Sequence, residues 1–322
     1  MKVLGVGGGI GASRVWSALQ PVCEVGDLTV VVNNGDDMWM HGLRICPDLD
    51  TVTYALAGRQ DLERGWGVKG ETWRNSQAFQ ELGGESWFQL GDVDLAMHLL
   101  RTGELARGTP LSEITRRVSE ALGVPSRILP ATDDPVTTVV HTREYGRIHY
   151  EEYLVRHGAA PRVKDSEVHG LLSARPAPGV LEGIAEADLI IIGPSNPVAS
   201  VDPILGIEGV RASIRGAQAP VVVMSPIVSA VRIQAEGESR RACSRAALLE
   251  ARGVPADPVG VASMYLDLAS LFVIDRTDVA LAPQIEELGV DVAAVPTLLH
   301  QGNSADELLD TLLGAANQEA TP

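Results

Sequence analysis

The stretch KVLGVGGGIGASRVWSAL, residues 2–19, is the best guide to the architecture of this chain. Lys2 to Val6 reads as a short strand, Gly7 to Gly11 as a turn, and Ala12 to Leu19 as a helix. Strand, glycine turn and helix in this order form a cradle for phosphate, because backbone N–H groups at the helix N-terminus can approach a diphosphate. The stretch therefore predicts an α/β fold that binds a phosphorylated ligand.

Three residues of the cradle, Gly7, Gly9 and Ala12, fit the dinucleotide pattern G-x-G-x-x-G/A. Nicotinamide-binding folds usually place an acidic residue at the end of the second strand. Here Asn33 and Asn34 follow the apolar run LTVVV instead. A nicotinamide dehydrogenase is thus an alternative supported by the glycines alone, and a metal-bridged phosphate fits better.

An acidic stretch, VNNGDDMWMHGLRICPDLDT at residues 32–51, follows that strand. It holds Asp36, Asp37, Asp48 and Asp50 in a set of oxygen ligands without a Cys/His cluster. Hard ions such as Mg²⁺ prefer oxygen ligands and leave positions for substrate phosphates. Taken one at a time, each aspartate more simply forms a turn or a helix cap. Taken together with the glycine loop, they favour a metal and phosphate site.

The composition limits the partners and the compartment. A net charge of −16 over 322 residues argues against binding to nucleic acid or to an anionic membrane surface. The N-terminus lacks the pattern of a signal peptide, and no apolar run reaches the ~18 residues needed to cross a bilayer. We expect a cytoplasmic protein whose three cysteines, at an odd count and without metal-ligand spacing, stay reduced.

The chain is predicted to be one α/β domain, residues 1–322, with a mostly helical, lid-like insertion at residues 60–125. Beyond it, the apolar run 188–193 predicts a buried strand that leads into Ser195 and Asn196. These two residues are candidates to hold a ribose or a base edge, and a proline-stiffened turn is the alternative. Other predictions are a strand pair at 136–142 and 147–155, strands at 220–228 and 271–274, and helices at 73–82, 111–122, 238–252 and 303–315.

Several motifs in order resemble the 2-phospho-lactate transferase family of coenzyme F-420 biosynthesis, most closely its actinobacterial members. They are GGGIGASR, VNNGDDMWMHGLRICPDLDT, RGWGVKGETW, WFQLGDVDLAMHLLR, GPSNPVASVDPIL and MSPIV. The resemblance implies a doubly wound, mostly parallel Rossmann-like sheet, Mg²⁺ dependence and a homodimer. It also implies transfer of a phospho-lactyl or phospho-enolpyruvyl group from a guanosine diphosphate donor to a deazaflavin alcohol, with release of GMP.

The resemblance also assigns roles to individual residues. Asp36 and Asp50 would bind the metal, and Asp37 or His41 would lie near the attacking hydroxyl. Tryptophan beside glycine can wall a flat ring, although plain packing is about as frequent a role. The remaining assignments are Gly8, Gly9, Gly11 and Arg14 for the diphosphate, Ser195 and Asn196 for the nucleoside, and Trp66 and Trp87 for the deazaflavin.

One segment departs from the family pattern. After the SPIV motif the family has a glycine-rich stretch with Lys/Arg-Gly, whereas residues 229–246 read SAVRIQAEGESRRACSRA. Arg232 is a candidate replacement for the missing base, and the charges at Arg240 and Arg241 are expected to form a solvated helix face. The alternative function is a non-catalytic regulator of the same fold that binds a sugar nucleotide. The tryptophan-lined insertion favours the enzyme.

Overall fold

The computed structural model describes residues 1–229, 231, 233, 235–299 and 305–318. Within these ranges the strands are β1 (Val3–Val6), β2 (Leu28–Val32), β3 (Met38–Met40), β4 (Leu43–Ile45), β5 (Arg127–Pro130), β6 (Thr137–Thr142), β7 (Gly146–His149), β8 (Val163–His169), β9 (Leu189–Ile192), β10 (Val221–Met224), β11 (Leu271–Asp275) and β12 (Asp291–Val295). The α-helices are α1 (Gly9–Leu19), α2 (Pro47–Leu56), α3 (Arg74–Glu81), α4 (Asp92–Ala106), α5 (Leu111–Ala121), α6 (Val180–Glu186), α7 (Asp202–Leu205), α8 (Val210–Arg215), α9 (Glu236–Ala251), α10 (Pro258–Ser263), α11 (Ala282–Glu286) and α12 (Asp306–Gln318).

Seven strands form a parallel sheet in the order β12-β11-β10-β9-β1-β2-β5. From β1 the chain moves outward through β2 to β5, and it then returns to β9 on the other side of β1. The strand order therefore reverses between β1 and β9, which is where open α/β sheets bind their ligands. This arrangement confirms the predicted doubly wound, mostly parallel sheet.

Both faces of the sheet are covered, which is why its strands read as continuous apolar runs. Every residue of β1, β2, β9 and β10 is buried. One face packs against α1, α2 and α12 through residues such as Trp16, Leu49 and Leu312. The other face packs against α6, α8 and α11 through residues such as Ile184 and Ile214.

Residues 60–125 contain three of the helices, α3, α4 and α5. The loop between α3 and α4 packs on the β3–β4 hairpin, where Trp87 and Phe88 contact the cluster of Met38, Met40 and Ile45. No helix in the described part of the chain combines the length and the apolar character that a bilayer span requires.

Several local predictions were wrong in their boundaries. The strand predicted at 147–155 ends at His149, and a helical turn follows because the buried Tyr150 and Tyr153 lie three residues apart, at helical spacing. Helix α1 begins at Gly9 instead of Ala12. Strands β3, β4, β5, β8 and β12 were not predicted. Residues 303 and 304, at the start of the predicted last helix, lie outside the described residues.

Candidate active site

The glycine loop after β1 touches the loop after β9 at the point where the strand order reverses. Ser195 Oγ donates a hydrogen bond to the carbonyl oxygen of Gly8 at 2.8 Å. A Cβ atom on Gly11 would lie 2.4 Å from the carbonyl oxygen of Pro194. Gly7 has a φ of +132°. Glycine is therefore required at position 7 by the backbone angle, and at position 11 by the close approach of the two loops.

Asn196 lies beside Ser195 but is largely occupied by its own loop. Its side-chain oxygen accepts hydrogen bonds from the N–H groups of Val198 at 3.1 Å and Ala199 at 3.2 Å, which caps the turn Pro197–Val201. Its amide nitrogen donates to Tyr150 Oη at 3.4 Å. The structure thus brings both predicted nucleoside contacts to the switch point, where they also hold the loop in shape.

A buried acidic cluster lies directly beneath the glycine loop. Asn33 Nδ2 lies 3.0 Å from Asp36 Oδ1 and 3.0 Å from Asp48 Oδ2, so the two carboxylates converge on one amide. A Cβ atom on Gly8 would lie 2.4 Å from Asp48 Oδ2. Glu151, which follows β7, is also buried and completes the cluster of Asp36, Asp48 and Glu151.

The buried carboxylates of this cluster need a bound cation or bound protons to offset their negative charge. Burial, followed by repulsion from Asp48, raises the pKa of Asp36 well above its ordinary value. Burial also raises the pKa of Asp48 to about 6, and burial together with Asp48 raises the pKa of Glu151 to about 8. Among the described residues, no Lys or Arg forms an ion pair with Asp36 or Asp48. In the part of the chain that the structure describes, these two carboxylates therefore have no basic side chain paired with them.

The side chain of Asp37 contacts different residues from that of Asp36. Its Oδ2 lies 3.3 Å from Arg44 Nη2, while its Oδ1 is buried without a hydrogen-bond partner among the described residues. Burial raises the pKa of Asp37 to about 7, and the charge of Arg44 opposes that rise. A carboxylate with a pKa near neutrality is suited to general-base work.

His41 lies at the tip of the β3–β4 hairpin and is exposed. His41 and Gly42 have φ values of +52° and +77°, as in the tight turns that match strand twist. The imidazole ring packs on Phe79, with ring centroids 4.3 Å apart.

Asp50 forms an ion pair with Arg101 of α4. Arg101 was not among the predicted site residues. Arg101 Nη1 donates to Asp50 Oδ2 at 3.1 Å, and Nη2 donates to Asp50 Oδ1. His98 Nδ1 lies 3.7 Å from Asp50 Oδ2, and its Nε2 lies 3.3 Å from Asp94 Oδ2. Within the described ranges, Asp50, Asp94 and His98 form a group whose ligand atoms lie within 4.8 Å of one another. Arg101 already supplies a countercharge there, so an ion-pair network accounts for the group.

The two predicted aromatic walls belong to separate groups. The guanidinium of Arg64 lies 4.7 Å from the ring centre of Trp66 and 4.9 Å from that of Trp73. Trp87 instead packs edge-on against Phe88, with ring centroids 5.8 Å apart. Both groups belong to the insertion.

Arg14, predicted to reach the diphosphate, projects from α1 next to the glycine loop. Its Nη2 lies 3.8 Å from Glu238 Oε1 of α9. Sequence reasoning also overlooked Asn33 and Glu151. It counted Asp48 among the four aspartates of the acidic stretch but assigned the metal to Asp36 and Asp50. Asn33 and Asp48 were inside the acidic stretch. Glu151 was missed because residues 147–155 were wrongly predicted to form one strand.

Comparison with known proteins identifies the family of this chain. Residues 3–264 match the family described as 2-phospho-L-lactate transferase CofD. The chain is 39% identical over 324 residues to a phosphoenolpyruvate transferase of Kitasatospora aureofaciens, covering 99% of this chain and 98% of that one. It is 32% identical over 308 residues to a 2-phospho-L-lactate transferase of Methanosarcina mazei, covering 96% and 98%.

A solved structure shares the fold. It is a UPF0052-family protein of Bacillus halodurans, with a TM-score of 0.61 at 19% identity over 97% of this chain and 98% of that one. The sequence motifs, the doubly wound sheet and the match over residues 3–264 lead to one conclusion: this chain belongs to the 2-phospho-L-lactate transferase CofD family.

Proposed function

We propose that the protein transfers a phospho-enolpyruvyl group from a guanosine diphosphate-linked donor to 7,8-didemethyl-8-hydroxy-5-deazariboflavin, the deazaflavin alcohol of coenzyme F-420 biosynthesis. GMP is the second product. The observation that carries this proposal is the buried acidic cluster directly beneath the glycine loop at the β1–β9 switch point. The higher identity to a phosphoenolpyruvate transferase, 39% against 32% for a 2-phospho-L-lactate transferase, supports the enolpyruvyl donor over the lactyl donor.

The acidic cluster fits Mg²⁺. Asp36 and Asp48 offer carboxylate oxygens that converge on one amide, and no described Lys or Arg pairs with either. We therefore place the metal at Asp36, with Asp48 as a second ligand. Asp50 remains a predicted ligand, although both of its oxygens contact Arg101 in this structure. When bound, Mg²⁺ would stabilise negative charge that develops on the transferred phosphate.

The remaining chemistry is a displacement at phosphorus. The hydroxyl oxygen of the acceptor bonds to the β-phosphorus, the bond from that phosphorus to the bridging oxygen breaks, and GMP leaves with that oxygen. Asp37 is the proposed base that receives the hydroxyl proton, because burial sets its pKa to about 7 and leaves one of its oxygens without a partner among the described residues. His41 is the alternative base, and its exposure at the hairpin tip would let it meet the acceptor.

In this proposal, residues of the insertion bind the acceptor. Trp66 and Trp87 would wall the flat deazaflavin, while the glycine loop, with Arg14, would bind the diphosphate. The family relationship also leads us to propose a cytoplasmic homodimer. A non-catalytic regulator that binds a sugar nucleotide is the alternative function. The structural likeness at 19% identity concerns the fold alone and favours neither function.

Binding titrations of the purified protein separate these functions. The transferase requires GDP to bind more tightly with Mg²⁺ than without it, and the deazaflavin alcohol to bind as well, followed through its own absorbance. Binding of GDP without binding of the deazaflavin would instead support the regulator.

A further inference from the structure

Helix α9 carries the segment that departs from the family pattern. Its charged residues were expected to form a solvated face, and Arg240 does so, with a side chain 42% exposed and paired with Glu236. Arg241 is only 28% exposed, and Arg245 turns further inward. Arg232, the sequence-based candidate for the missing base, lies outside the described residues. The helix therefore has two inward arginines: Arg241, for which the expectation of a solvated face was wrong, and Arg245, which that expectation did not include.

These arginines surround one carboxylate. Arg241 Nη2 lies 3.0 Å from Glu238 Oε1, and Arg14 Nη2 of α1 lies 3.8 Å from the same atom. Burial acts to raise the pKa of Glu238, but Arg241, Arg14 and Arg245 together hold it below its usual value. Glu238 is therefore the ion-pair partner of both Arg14 and Arg241, and Arg245 acts on it from a greater distance.

Arg245 is the least satisfied member of this group. Its Nε is buried and has no hydrogen-bond partner among the described residues. Burial lowers the pKa of its guanidinium, although the charge of Glu238 acts in the opposite direction. Buried N–H groups of arginine normally have partners, and an unpaired one loses the free energy of its hydration. A ligand oxygen at this position would restore the missing partner.

The group lies next to the candidate active site. Tyr150, which accepts a hydrogen bond from Asn196, lies 3.3 Å from Ser244 Oγ on α9, oxygen to oxygen. Burial and Asp48 raise the pKa of Glu151, which belongs to the acidic cluster, and the charge of Arg241 opposes that rise. The inward face of α9 thus borders both the switch point and Glu151 of the acidic cluster.

We propose that Arg241 and Arg245 form an anion subsite that holds a phosphate or carboxylate group at the acid end of the donor. The bound anion would replace part of the interaction that these arginines make with Glu238. The proposal rests on the proposed function for the identity of the donor. Arginine suits this role because its planar guanidinium can give paired hydrogen bonds to either anion.

Calorimetric titration with inorganic pyrophosphate, phosphoenolpyruvate and GDP, each with Mg²⁺, tests the subsite. The variants are Arg241→Gln and Arg245→Gln, and Arg240→Gln is the matched control from the outer face of the same helix. Loss of a charged hydrogen bond predicts at least about tenfold weaker binding for the first two variants and less than about twofold change for the control. Weakening for pyrophosphate and phosphoenolpyruvate identifies a phosphate contact, and weakening for phosphoenolpyruvate alone identifies a carboxylate contact.

Glu238→Gln provides a second test that does not require removal of a buried arginine. Because this variant removes the competing carboxylate, phosphoenolpyruvate should bind about threefold or more tightly to it than to the wild type. Equal affinities in the wild type, Arg241→Gln, Arg245→Gln and Glu238→Gln would overturn the subsite while leaving the proposed function in place. A wild type that binds none of the three probes would overturn both.

Discussion

Arg101 and Asp50 form a buried two-point contact that joins the insertion to the core. Arg101 belongs to α4, Asp50 belongs to the first turn of α2, and the two side chains meet through both guanidinium Nη atoms and both carboxylate oxygens. Both residues are at most 6% exposed. The pair therefore fixes the position of α4 relative to the acidic stretch.

Arg101→Met should destabilise the protein by about 3–5 kcal/mol, because Asp50 would keep a buried charge without its partner. Chemical denaturation measures this loss. The double variant Arg101→Met with Asp50→Leu should recover much of the lost stability, since neither charge remains. A loss below about 1 kcal/mol in the single variant would show that water already screens the pair.

Gly11→Ala should weaken GDP binding and lower stability by about 1–3 kcal/mol, because the new Cβ would lie 2.4 Å from the carbonyl oxygen of Pro194. The matched control is Gly314→Ala in α12, where a Cβ meets no atom within 4 Å. The control should be neutral or stabilising by about 0.5–1 kcal/mol. Equal effects at the two positions would contradict the close approach of the two loops.

Glu151→Gln should stabilise the metal-free protein at alkaline pH. The pKa of Glu151 rises from 4.5 to about 8 on folding, so the folded state holds the extra proton between these values and stability falls as pH increases through this range. The variant should melt higher than the wild type at about pH 8.5, by roughly 2 °C per kcal/mol, and the difference should shrink near about pH 4.5.

Glu152→Gln is the control for that comparison, because the side chain of Glu152 is 30% exposed and pairs with Arg156. Scanning calorimetry in a chelator measures both variants. A stabilisation of Glu151→Gln that is the same at both pH values would show that the carboxyl proton is not responsible.

Trp66→Ala should weaken binding of the deazaflavin alcohol more than binding of GDP, since stacking on a flat ring contributes ~1 kcal/mol. Absorbance and calorimetric titrations compare the two ligands. Trp66 also contacts Arg64, whose guanidinium lies 4.7 Å from its ring centre. Equal weakening for both ligands would indicate that Trp66 only supports the loop.

Local sequence patterns predicted five of the seven strands of the central sheet, whereas the doubly wound arrangement was an expectation from the family resemblance. The strand, glycine turn and helix at residues 2–19, and the apolar runs at 28–32 and 188–193, predicted β1, β2 and β9. Edge and hairpin strands such as β3, β8 and β12 were overlooked, because short, partly exposed segments have weak periodicity and depend on their neighbours.

Partners distant in sequence explain what was overlooked in the site. Asp50 was grouped with Asp36 by proximity along the chain, but its contact with Arg101 spans 51 positions. Glu151 reaches the acidic cluster only because the chain turns into a helix after His149. Spacing alone does not show which carboxylate has a countercharge.

The central claim is metal-dependent transfer at the acidic cluster, and the direct test is a product assay with and without Mg²⁺. The purified protein is given the guanosine diphosphate-linked enolpyruvyl donor and the deazaflavin alcohol, and the wild type is compared with Asp36→Ala, Asp48→Ala and Asp50→Ala. We expect GMP and the deazaflavin phosphodiester in equal amounts from the wild type only with Mg²⁺, and no turnover in the folded Asp36→Ala and Asp48→Ala variants. Asp50→Ala retains turnover if Asp50 serves only Arg101. Wild-type rates in Asp36→Ala at limiting Mg²⁺, or no GMP from the wild type with either the enolpyruvyl or the lactyl donor, would contradict the claim.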